Sequence, residues 1–128
     1  MSKKHKYRSG LELRNSKILE QSGADYEYEK HVLEYEKPAT QHKYTPDFTL
    51  TKKDKSILYI ETKGYMDLAT RKKMVCVKQS NPDLDIRFVF QNSKCTISKK
   101  SKTTYGEWAT KNGYPWAHCQ IPLEWLDE

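Results

Sequence analysis

The sequence predicts an α/β fold of the α+β kind, a small mixed central sheet flanked by helices, and three observations carry that prediction. Two stretches open with a hydroxyl residue followed three places on by glutamate, Ser9 with Glu12 and Thr104 with Glu107, the spacing of a capping box at a helix start. Between them, DFTLT and SILYIETK flank the polar turn KKDK, the pattern of an antiparallel hairpin. Further on, IRFVF is apolar enough for a buried strand.

Taken in order, residues 1–8 form a basic arm, and 9–128 form one folding unit, since 128 residues leave no room for a second independent core. The first helix runs from Ser9 to near Ser22, where Gly23 supplies the permissive backbone wanted just past a helix end. Residues 24–36 read as one strand: Tyr26 and Tyr28 alternate with Glu27 and Glu29, an irregular continuation passes through Val32 and Leu33, and Pro38 ends it. The hairpin strands follow at 47–51 and 56–63. Asp67 caps a helix over 68–79, with Leu68 and Val75 on one face and Arg71, Lys72 and Lys73 toward solvent. After the turn residues SNPD comes the strand 86–90, then a basic connector over 94–102 and a last helix ending near Gly113. The expected order is helix, three strands, helix, strand, helix.

Composition narrows the function classes. The hydrophobic fraction is 36%, so the core is modest and help from a partner subunit is plausible. Lys and Arg number 23 against 17 Asp and Glu, a net charge of +6, which points to an anionic partner, nucleic acid first. No apolar run approaches the roughly 18 residues of a membrane span, and no apolar stretch follows the charged start, so a cytoplasmic protein without a membrane partner is expected. Cys76, Cys95 and Cys119 are odd in number and widely spaced, which fits reduced packing residues better than a disulfide framework or a zinc site.

The chemistry concentrates in YTPDFTLTKKDKSILYIETKG. Side chains two apart on a strand share a face, so Glu61 and Lys63 project together while Thr62 projects away. Across the hairpin, Asp47 opens one strand and Glu61 lies near the end of the other, which brings both carboxylates to one end of the sheet. Pro46 lacks an amide hydrogen and holds Thr45 extended, so the chain enters at a sheet edge. Convergent carboxylates suit Mg²⁺, which keeps positions for water and phosphate, and a neighbouring lysine adds positive charge. That set meets the needs of phosphodiester hydrolysis. Histidines 5, 31, 42 and 118 sit in no nucleophile motif, and no glycine-rich phosphate loop is present.

These residues carry a resemblance. TPDF followed by ETKG is similar to the signature of the PD-(D/E)XK nucleases, and the chain resembles the phage endonuclease I family, the Holliday junction-resolving enzymes of short-tailed coliphages. The resemblance runs through YRSGLE, YEYE, YTPDF, ETKG, RKK, PDLDIRFVF, TTYGEW and IPLEW in that order, nearly the whole chain. It implies a restriction-endonuclease-like core and a metal-dependent DNA endonuclease, using Mg²⁺ with Mn²⁺ able to substitute, that cleaves four-way and other branched DNA in the host cytoplasm. It further implies that Asp47 and Glu61 hold the metal with the Thr62 carbonyl as a further ligand, that Lys63 orients or activates water, and that Glu12 adds another metal-site carboxylate. Family members are domain-swapped homodimers, so Glu12 would act in trans. The chain departs from the pattern in a longer turn around residues 52–56, a shorter N-terminal arm and no basic C-terminal tail, which leaves substrate preference open.

Blander explanations stand beside these. Asp47 alone would suit a turn after proline, Glu61 and Lys63 an exposed strand face, and Glu12 the capping box of Ser9. Lys3, Lys4, Lys6 and Arg8, then Arg71, Lys72 and Lys73, then Lys99, Lys100 and Lys102 would ordinarily be solvated, and the nuclease reading makes them phosphate contacts. Tyr105, Trp108, Trp116 and Trp125 read as core or interface anchors rather than base-stacking platforms. A sequence-specific nickase or homing-type endonuclease on the same fold, and a non-catalytic junction-binding protein, are the rival functions.

Overall fold

The structure, a computed structural model, describes residues 7–37 and 40–128. The first helix, α1 (Gly10–Ser22), starts as its sequence asks: the Ser9 hydroxyl accepts from the Glu12 amide at 3.1 Å. Gly23 ends it at φ 74, a left-handed conformation that glycine adopts without a side-chain clash. The capping box, however, stays open. The Glu12 carboxylate accepts from the Ser9 hydroxyl instead of the Ser9 amide, so it is available to something else. The later helix α3 (Tyr105–Lys111) closes its box fully through Thr104 and Glu107.

The single strand expected over 24–36 is two. β1 (Tyr26–Tyr28) stops where Glu29 takes φ 48, which an extended run cannot contain, and β2 (Leu33–Lys37) begins afterwards. β2 pairs antiparallel with β3 (Thr40–Tyr44), a strand the sequence did not announce, in a separate two-stranded sheet. Pro38 lies outside the described residues.

The main sheet has the order β1-β4-β5-β6-β7. The expected hairpin is β4 (Phe48–Thr51) against β5 (Ile57–Lys63), antiparallel with Phe48 opposite Ile60. Helix α2 (Leu68–Ser80) then returns the chain to β6 (Asp85–Phe90), parallel to β5. α3 leads to β7 (Trp116–His118), parallel to β6, and α4 (Leu123–Leu126) closes the chain. Neither β7 nor α4 was expected. Among the described residues, no helix is long and apolar enough to cross a membrane.

Both faces of the sheet are covered. On one, Phe88 and Phe90 meet Met74 and Val77 of α2 and Trp108 and Ala109 of α3; on the other, Phe48, Leu58, Ile60 and Val89 meet Leu19 of α1. α2 therefore buries Met74 and Val77 most deeply; of the expected pair, Val75 packs partly against the same core and Leu68 does not. Val77 follows Leu68 by nine residues, which at 3.6 per turn is half a turn away, and Leu68 is left 56% exposed. The fully buried Asn15 staples α1 to the C-terminal segment: its side-chain amide donates to the Leu11 carbonyl at 2.9 Å and its oxygen accepts from the Ile121 amide at 2.8 Å. Of the free cysteines, Cys95 is exposed rather than packed.

Because β5, β6 and β7 run parallel, they end together, with Lys63, Phe90 and His118 in register. The opposite end carries the turn at 52–56, where the Lys52 amide donates to the Ser56 carbonyl at 2.8 Å and the Lys53 amide to the Glu128 carbonyl at 2.9 Å. Lys63 is the last of the seven residues of β5, so the whole strand, about 20 Å at the rise of a strand, lies between this turn and its side chain.

Candidate active site

Register assembles the site. With Phe48 opposite Ile60 in an antiparallel pair, the next residues outward are Asp47 and Glu61, so two acids fourteen positions apart in sequence meet at one sheet end. Asp47 Oδ2 accepts from the Thr62 amide and from the Thr62 hydroxyl, each at 2.8 Å, which fixes the carboxylate against β5. Glu61 is buried. Its Oε1 accepts from the Tyr44 hydroxyl at 2.7 Å, and its Oε2 pairs with Lys63 Nζ at 3.2 Å on the same strand face. α1 contributes Glu12, buried at its first turn, whose carboxylate accepts from the hydroxyls of Tyr28 and Ser9. These groups line one cavity of about 360 Å³.

The electrostatics follow from burial. Burial, and next the charge of Glu61, push the Asp47 carboxyl up to about 8, against the two hydrogen bonds from Thr62. Glu61 is likewise raised by burial, with Lys63 and Tyr44 pulling it back. For Lys63, burial disfavours the ammonium, but the Glu61 carboxylate outweighs it and holds the group above its ordinary value. Lys63 is thus a cation at neutral pH. Asp47 and Glu61, both raised first by burial, present carboxylates poorly served by water, which is the donor chemistry a hard divalent cation would complete.

The structure brings together Glu12, Asp47, Glu61, Thr62 and Lys63 of the sequence-derived set. The basic residues divide. Arg8 and Lys73 line the cavity, Arg8 paired with Glu29 at 3.0 Å and Lys73 set over the Tyr44 ring at 5.2 Å. Arg71 points elsewhere, donating at 2.8 Å to the carbonyls of Met66 and Ile97, and so ties the 93–103 loop to α2. Lys72, Lys99, Lys100 and Lys102 are exposed and outside the cavity, whereas Lys3, Lys4 and Lys6 lie outside the described residues. Neither His42 nor His118 lines it.

Sequence reasoning missed three residues here. Tyr44 precedes the Pro46-Asp47 pair and anchors Glu61, and Lys43 lines the cavity beside it. Glu29, taken as the exposed partner in a Tyr-Glu alternation, contributes a carboxylate oxygen within 4.8 Å of those of Glu12 and Asp47. The break in that alternation after Glu29 was the one available signal.

The family description Phage endonuclease I matches residues 1–128. Over 122 residues, 95% of the chain, the sequence is 43% identical to Endonuclease I of Escherichia phage T7, of which 79% is covered. It is 42% identical over the same length to Endodeoxyribonuclease 1 of Enterobacteria phage T3, of which 78% is covered. With the whole chain matched and both relatives covered over more than two thirds of their length, this protein belongs to the phage endonuclease I family.

Proposed function

We propose that this chain is a divalent-metal-dependent, structure-selective endonuclease that acts as a homodimer on four-way junctions and other branched DNA. Family membership and the relatives' names support DNA as substrate and an endonuclease as the activity. The observation that carries the finer reading is the convergence of Asp47, Glu61, Lys63 and Glu12 on one polar cavity at the sheet end.

Asp47, Glu61 and Glu12 would hold Mg²⁺, or Mn²⁺ in its place. A cation there supplies Lewis acidity at the phosphoryl oxygen and an activated water. The chain's own groups do the rest. Glu61 keeps Lys63 charged, so Lys63 serves as a hydrogen-bond donor and counter-charge beside the scissile phosphate rather than as a base. Tyr44 and Thr62 hold the two strand carboxylates in place. Arg8, Lys43 and Lys73 at the cavity offer contacts to flanking phosphates, which position the substrate without reading sequence. The long turn, which with the absent basic tail favours a sequence-specific nickase, sits at the far end of β5, about 20 Å from Lys63.

The test incubates the protein and Mg²⁺ with a synthetic four-way junction, a matching linear duplex and supercoiled plasmid in parallel. Paired cuts near the branch point are expected. One unique nick in the linear duplex would favour the nickase, and binding without cutting would favour a junction-binding protein. Glu61→Ala should abolish cleavage while retaining junction binding; cleavage near the wild-type rate would overturn the assignment.

A further inference from the structure

We propose that Glu29 is an additional cation-binding carboxylate of this cavity, and that Arg8 holds it in the metal-free protein and is released to substrate phosphate when a cation binds. The inference rests on the reading of the cavity as a metal-dependent nuclease centre and adds an oxygen donor and a coupling to it.

Geometry comes first. Oxygens of Glu12, Glu29 and Asp47 lie within 4.8 Å of one another. Two ligands on one cation at about 2.0–2.1 Å stand at most about 4.2 Å apart, and at about 2.3–2.6 Å at most about 5.2 Å. Small side-chain movements therefore suffice for all three to share an ion. Glu29 is also firmly placed: it follows β1 directly, its amide donates to the Asp47 carbonyl at 3.0 Å, and its φ of 48 turns the chain out of the strand at the cavity wall. Glutamate is an uncommon residue for that conformation, and glycine would adopt it without a side-chain clash.

The partners differ in how readily they release their acids. Both oxygens of Glu61 are engaged, by the buried Tyr44 hydroxyl and by Lys63. Glu29 instead meets Arg8, whose side chain is 77% exposed. An exposed ion pair contributes little, so a divalent ion competes for Glu29 on favourable terms. Arg8 stays tethered next to the site, because its backbone amide donates at 3.4 Å to the Tyr28 hydroxyl, the same hydroxyl that donates to Glu12. Once exchanged, its guanidinium is a free fork at the cavity, suited to phosphate. Cation and DNA binding would then be positively coupled.

Calorimetry of Mn²⁺ binding without DNA, followed by thermal melting, tests this. Glu29→Gln should weaken Mn²⁺ binding by at least about tenfold. Glu29→Gly removes the carboxylate while suiting the backbone, so it should melt at or above the wild-type temperature yet lose the same affinity. Arg8→Ala should tighten Mn²⁺ binding about two- to fivefold, the factor an exposed ion pair supplies, and weaken DNA binding. A purely structural Glu29 would leave Mn²⁺ affinity unchanged in the glycine variant, and that result, or weaker Mn²⁺ binding by Arg8→Ala, would overturn the proposal. If wild type binds Mn²⁺ and Asp47→Asn does not, while both Glu29 variants bind normally, only the role of Glu29 falls. If wild type binds no Mn²⁺, the metal-dependent reading falls with it.

Discussion

At Asp47, burial and the neighbouring Glu61 act in the same direction and lift the carboxyl to about 8, above its value in an unfolded chain. The sign of the consequence is fixed by linkage: between about pH 4 and 8 the metal-free folded state binds a proton that the unfolded state has released, so stability is present in acid and lost as pH rises. Glu61, also raised, adds to the same trend. In EDTA, unfolding free energy should fall from pH 5 to pH 8.5 by at most about 1.4 kcal/mol per pH unit for each proton, and melting temperature should fall with it. Asp47→Asn should flatten that profile and melt higher than wild type at pH 8.5. A wild-type melting temperature that rises steadily across the same range would refute the account. Asp47, Glu61 and Lys63 were legible in sequence because strand alternation and hairpin register are local rules. Glu29 was not, because its direction depends on a left-handed residue at a strand end, and the same alternation that placed Tyr26 and Tyr28 inside assigned Glu29 to solvent.

Elements show the same division between local and non-local information. α1, α3, the β4–β5 hairpin, α2 and β6 carry their own caps, turns or apolar runs. β7 has three residues, too few for a period to show, and exists because β6 offers it a ladder. Among the described residues β2 and β3 have only each other as strand partners, and β3 is spelled TQHKY, with little that marks a strand. The buried face of α2 was misjudged at Leu68 for a related reason, since either side of a weakly amphipathic helix can be packed and the sheet decides which. The joint between α3 and β7 gives a sharp prediction. A Cβ at Gly106 would stand 2.6 Å from the Trp116 ring. Gly106→Ala gains about 1 kcal/mol of helix propensity. Against this, the ring must move and risks its 2.8 Å donation from Nε1 to the Thr110 hydroxyl, with overpacking of about 1–3 kcal/mol. Net destabilisation is expected in urea melts, and Trp116→Leu in the alanine background should restore much of the loss. Stabilisation by Gly106→Ala alone would show that the ring yields freely.

The whole molecule is polarised along its strands. One end gathers the acids and the cavity. The other is closed by Arg87, whose guanidinium donates to both Asp85 and Glu128 at 2.7–2.9 Å, with Lys52 of the turn joining Asp85 at 2.7 Å. Ion pairing and the acidic cavity thus sit at opposite ends of the strands, and an exchange of α1 and β1 within a dimer would bear on the cavity through Glu12 and Glu29. In the structure Glu12 reaches the cavity of its own chain, but Glu12 and Glu29 both precede β2 and β3, whereas Asp47, Glu61 and Lys63 follow them. If the segment before β3 passes to the partner, every site combines the early acids of one chain with the late residues of the other. Complementation distinguishes the arrangements. Glu12→Gln and Asp47→Asn are each expected to be inactive alone. Unfolded together and refolded as a mixture, exchanged heterodimers contain one site with both native acids and one with neither, so single nicks in a four-way junction should return. Without exchange, every site in every dimer retains one defect, and the mixture should be as inert as its components. A size tag on one variant, which makes the heterodimer distinguishable from both homodimers, keeps the result decisive: heterodimers that form and do not nick place Glu12 in cis.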